Sequence, residues 1–144
     1  MGHCALFFFA MYNIKILNTI ETSPIKLFYS QVDVQYNDIG EWISITSGAG
    51  QKLTLSHVPV IIFDDSTSKS IDVSAFKEIW SEEVNDAYVG GNKILTIFTT
   101  TGAPLHFFTG TTITIVEQHQ DFTHFKVDDK DIWIYNLGFM VLTK

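Results

Sequence analysis

Alternation of apolar and polar residues governs most of the chain. Val32, Val34 and Tyr36 are separated by Asp33 and Gln35, Ile43 and Ile45 by Ser44, and Leu53 and Leu55 by Thr54. A period of two sends successive side chains to opposite faces, so each stretch predicts a half-buried β-strand. Ser47-Gly48-Ala49-Gly50 lies between the last two and predicts a hairpin connection. Val58–Phe63 is a short apolar run whose Pro59 assigns it to a strand entrance or a sheet edge. Beyond Gly91 the candidate strands are Lys93–Thr100, Leu105–Thr109, Thr111–Gln118, Phe122–Val127, Ile132–Asn136 and Phe139–Thr143, separated by turn residues.

One stretch keeps a different period. Phe76, Ile79, Trp80, Val84, Ala87 and Tyr88 recur every three or four residues, which predicts an amphipathic α-helix near residues 73–88. Asp72 or Ser74 can cap its start, and Gly90-Gly91 supply its stop. The fold class expected is therefore mainly β, a β-sandwich or a small antiparallel barrel or meander, with that one helix. No Pro/Gly/Ser-rich linker divides the 144 residues, so a single domain, 1–144, is expected.

Several late strands are apolar on both faces. In Ile132-Trp133-Ile134-Tyr135 the two Ile point one way and the two aromatics the other. An antiparallel sheet ordinarily keeps one face wet, so this pattern asks for a cover on each side: the helix, the N-terminal run or another subunit. The N-terminal run, Cys4 to Tyr12, makes residues 1–12 a candidate first strand or docking arm, with Phe7, Phe8 and Phe9 as its contacts. No basic segment precedes it as in a signal peptide, and it is about half the length of a membrane span. A cytoplasmic or virion-associated protein is expected, without membrane attachment.

Charge narrows the partners. The formal charge is −7, and all nine basic residues are lysine, so no arginine is present to fork onto phosphate; a nucleic-acid partner is not expected. The acids concentrate on the expected helix, where Glu78, Glu82 and Asp86 form an i, i+4, i+8 ridge beside Glu83. Like charges at that spacing repel, so the ridge reads as a solvated face, or as a docking surface for a basic partner.

Candidate chemistry is sparse. Cys4 is the only cysteine, which leaves no disulfide and no cysteine-based zinc site. Ser47–Lys52 lacks the adjacent Gly-Lys and the following helix of a phosphate loop. Asp128-Asp129-Lys130-Asp131 lacks the Gly and Glu of a calcium loop and reads as a hairpin turn. Glu117, His119 and Asp121 share a face on a straight strand, which makes them the one candidate metal triad, although a solvated turn is the preferred reading. No cofactor is expected.

These observations favour a non-enzymatic structural or interaction domain of a larger, oligomeric assembly, a viral or phage virion being the specific form expected. The alternative is a small-ligand or carbohydrate-binding β module that stacks sugars on Trp42 or Trp133. The second alternative is a small enzyme using paired carboxylates or the Glu117/His119/Asp121 set.

Overall fold

Alternating and β-branched residues form strands almost throughout the described chain. The computed structural model describes residues 11–17, 25–37, 39–64, 71–72 (backbone only), 90–102 and 104–143. The strands are β1 (Tyr12–Ile16), β2 (Ile25–Tyr29), β3 (Val32–Tyr36), β4 (Ile43–Ser47), β5 (Lys52–Leu55), β6 (Val60–Asp64) and β7 (Ile71–Asp72). After them come β8 (Lys93–Phe98), β9 (Pro104–Gly110), β10 (Ile113–His119), β11 (Phe122–Val127), β12 (Lys130–Tyr135) and β13 (Gly138–Leu142). They pair into a six-stranded sheet β10-β11-β12-β6-β1-β2, a four-stranded sheet β13-β8-β9-β7 and a three-stranded sheet β3-β4-β5. Every strand pairing is antiparallel.

The six-stranded sheet is the middle layer. From its one face Ile61, Phe63, Phe125, Val127, Ile132 and Ile134 pack with Leu95, Ile97, Leu105 and Phe108 of the four-stranded sheet. From the other, Ile14, Ile16, Val60, Ile62, Phe122 and Tyr135 pack with Ile43 and Ile45 of the three-stranded sheet, flanked by Val32, Val34, Leu53 and Leu55. Neighbouring residues of one strand thus enter different cores, as the two-fold pleat requires. A polar link crosses the first interface: Lys15 Nζ donates to Nε2 of His106 at 3.1 Å, with the ammonium 5.9 Å from the centre of the Phe63 ring. On the far side of the four-stranded sheet, Ile94, Thr96, Phe107 and Thr109 are also buried.

The expected fold class needs correction. The described residues form three antiparallel sheets with no helix among them, in place of a β-sandwich or small barrel carrying one helix. The physical reason is that the double-sided strands of the middle layer are covered by other strands on both faces. Residues 73–88, and with them Glu78, Glu82, Glu83 and Asp86, lie outside the described residues, as do Phe7, Phe8 and Phe9. Of the expected N-terminal strand or arm, only Met11 and Tyr12 are described, and Tyr12 opens β1. Among the described residues no helix is long and apolar enough to cross a membrane.

Candidate functional site

The outward face of the three-stranded sheet is polar, because Ile43, Ile45, Leu53 and Leu55 take the inward positions. Ser44 projects outward from the middle strand β4, opposite Thr54 of β5 in register, and Lys52 lies opposite Thr46. Together with Glu41, Trp42 and Ser56 these side chains line an open depression of about 360 Å³. Trp42 is half-buried there. Ser44 is only 4% exposed, and its Oγ has no hydrogen-bond partner among the described residues.

The loop carrying Trp42 is fixed from several sides. Asn37 Oδ1 accepts from the amides of Ile39 (3.0 Å) and Glu41 (3.2 Å), the kind of local side-chain turn asparagine favours. The Asn37 amide donates to the Trp42 carbonyl. Gly40 sits at φ +79°, and a Cβ there would meet the Gln120 carbonyl at 2.8 Å, so the backbone conformation and the close approach both demand glycine. Tyr135, buried in the core below, donates its hydroxyl to the Gly40 carbonyl at 2.7 Å, and Ser56 Oγ donates to the Glu41 carbonyl at 2.7 Å. The indole is therefore presented by a braced loop.

The titratable groups of the middle sheet are spent differently. The Tyr36 hydroxyl donates to Glu117 Oε2, while His119 Nε2 lies 2.8 Å from that hydroxyl and 3.2 Å from the same carboxylate. The Tyr36 ring stacks on Phe122 at 4.1 Å, so this cluster ties β3 to β10 and β11. One strand further in, His124 Nε2 donates to Asp131 Oδ1 at 2.7 Å and its ring stacks on Trp133 at 4.7 Å. Trp133 in turn touches Tyr12, whose phenol is pushed up by burial and by the nearby charges of Asp64 and Asp131.

Of the candidate metal triad, Glu117 and His119 come together and Asp121 does not. Asp121 occupies the β10–β11 turn at φ 62°, accepts the Asn136 amide through its backbone oxygen, and directs its carboxylate toward Gly40. The turn breaks the straight-strand alternation on which the triad depended. Among the described residues no group of three His, Cys, Asp or Glu side chains is arranged to hold a metal ion. Of the two candidate stacking tryptophans, Trp133 has neighbouring rings against it, whereas Trp42 lines the open depression. Ser44 and Lys52 were not among the sequence candidates; the alternation that turned Ile43 and Ile45 inward already turned Ser44 outward beside Trp42.

Asp128 closes the opposite end of β11. Its Oδ1 accepts from the amides and hydroxyls of both Thr111 and Thr112, and the Thr111 hydroxyl is the main cause holding its carboxyl below the usual value of 3.8. Glu117 is likewise lowered from 4.5, first by the Tyr36 hydroxyl and then by His119. Depressed folded-state values mean that this stabilisation is present above the unfolded-state values and is lost as pH falls through the folded ones. Acid unfolding followed by circular dichroism is expected to show a loss of stability beginning near pH 4.5 and continuing below 3.8, reduced in slope by Glu117→Gln with Asp128→Asn. An unchanged acid limb in the double variant would remove these two groups as its cause.

No family model, curated protein or solved structure matches this chain.

Proposed function

We propose that the protein is a non-enzymatic structural or interaction domain that joins a second copy of itself through strand β2, as a subunit of a larger assembly. The observation that carries this is the contrast between the two ends of the six-stranded sheet. Strand β10 ends one side with a register shift between Ile115 and Glu117, a bulge of the kind that discourages further pairing. Strand β2 pairs in unbroken register with β1, ends the other side among the described strands, and exposes Ile25 at 60% and Phe28 at 58%. An open, regular edge with apolar side chains on it is a template for an added strand. Antiparallel pairing of β2 with β2 about a two-fold axis uses the same patch twice and closes that one contact at two copies. Phe28 pairs with Asn13 and Ile25 with Ile16, so the two apolar groups flank the edge on opposite faces.

The titratable clusters support the non-enzymatic reading, since Tyr36–Glu117–His119 ties the three-stranded sheet to the six-stranded one and His124–Asp131 ties β11 to β12. A virion is the assembly we name, on a β-rich chain with twelve Phe residues and a Thr-rich stretch from Thr99 to Thr114. Size-exclusion chromatography with light scattering is expected to give twice the chain mass for the wild type and the monomer mass for Phe28→Lys, both with unchanged β-sheet circular dichroism. A wild type that stays monomeric at high concentration would overturn the reading.

A further inference from the structure

From the geometry on the outward face of β3-β4-β5 we infer a binding site for a neutral pyranose sugar, with Trp42 as the stacking platform and Ser44 as the polar anchor. This site is independent of the β2 edge. The depression, about 360 Å³, falls within the range of small-molecule sites, which combine an apolar surface with a few placed polar groups. Among the described residues the one aromatic surface in the lining is Trp42, and around it stand the hydroxyls of Ser44, Thr54 and Ser56, the carboxylate of Glu41 and the ammonium of Lys52. That set matches a sugar ring, whose C–H face lies on an indole while its rim of hydroxyls both donates and accepts.

Charge selects within the class. Among the described lining residues one carboxylate and one ammonium balance, which favours neither an acidic nor a basic ligand. Two observations separate the site from an ordinary wet sheet face. The braced loop holds Trp42 in place before any ligand arrives, which lowers the ordering cost of binding. And Ser44 Oγ, on a residue 96% buried beneath the depression, has no hydrogen-bond partner among the described residues, where a buried hydroxyl normally has one; a turn about χ1 toward the depression would bring it to a sugar hydroxyl there.

Isothermal titration of the full chain with cellopentaose, maltopentaose, xylopentaose and chitopentaose tests this. At least one is expected to bind. Trp42→Ala should abolish binding of that sugar, and Trp42→Phe should retain part of it by preserving a stacking surface. Ser44→Ala should weaken binding about tenfold, the worth of one hydrogen bond. The same variant should raise the melting temperature by about 3 °C, because it deletes an unpartnered buried hydroxyl. A merely structural serine would move stability without moving affinity. Absence of binding to all four sugars, or wild-type affinity in Trp42→Ala or in Ser44→Ala with the fold intact, would overturn the inference.

Discussion

Phe122→Ala and Phe125→Ala are each expected to lower the unfolding free energy by about 3–5 kcal/mol, the cost of removing a fully buried aromatic side chain. The two residues sit on the same strand, β11, three positions apart, so the pleat sends them to opposite faces. Phe122 is 2% exposed and belongs to the core shared with the three-stranded sheet, where Tyr36 stacks on it. Phe125 is 0% exposed and belongs to the core shared with the four-stranded sheet, where Phe139 meets it edge-on at 4.8 Å. A two-layer sandwich has one interior, and one of these substitutions would then be cheap. Three layers make both expensive. Val116→Ala on the exposed edge strand β10 is the control, with a change within about 0.5 kcal/mol. Urea unfolding midpoints at a constant slope measure all three, and a small effect at either Phe would refute the three-layer architecture.

The three layers were half legible in the sequence. Two-sided apolar strands such as Ile132–Tyr135 announced that both faces of a sheet are covered, and Ile132 and Ile134 do enter one core while Tyr135 enters the other. What covers them was not legible, because periodicity describes a strand's faces and says nothing of which element meets each face. The turn chemistry carried further: Asp128 and Asp129 do form the tight link between β11 and β12, with Val127 opposite Lys130. Strand β2 was missed because Ile25-Lys26-Leu27-Phe28-Tyr29 breaks alternation after Lys26, as an edge strand with apolar residues on both sides will. Strand β1 was displaced for a related reason. The dense apolar run before it drew the assignment toward Cys4–Tyr12, although Tyr12-Asn13-Ile14-Lys15-Ile16 alternates and pairs on both sides.

The candidate site shows the same division. Trp42 was readable from the sequence as a candidate stacking residue, and parity alone puts Ser44 on its side of the sheet. The depression itself was not readable, since it depends on Ser56, fifteen residues from Glu41, and on Tyr135, far along the chain at the end of β12. The metal triad failed where a local rule met a turn: the spacing of Glu117, His119 and Asp121 assumes an extended strand, and Asp121 adopts φ 62°.

Tyr135→Phe is expected to cost about 1–3 kcal/mol, the penalty for leaving buried polar groups without their partner. The ring is 0% exposed, so phenylalanine fills the same space and the packing is preserved. What disappears is the hydroxyl, which donates to the Gly40 carbonyl at 2.7 Å and accepts the His57 amide at 3.3 Å. These bonds hold the β3–β4 and β5–β6 connections onto the end of the middle sheet, so the loss concentrates at the loop that carries Trp42. Amide hydrogen exchange should therefore quicken at His57, Glu41 and Trp42 more than at Ile43 or Ile45, whose ladder with β3 and β5 is untouched. Ser56→Ala, which removes an exposed bond to the same loop, should cost no more than about 0.5 kcal/mol. If Tyr135→Phe proves as mild as Ser56→Ala, the loop is held by its own Asn37 turn and by Gly40 rather than by the core. If exchange quickens evenly through all three strands, the hydroxyl supports the whole sheet and not the loop. Localised loosening is the result that links the buried core directly to the presentation of the indole.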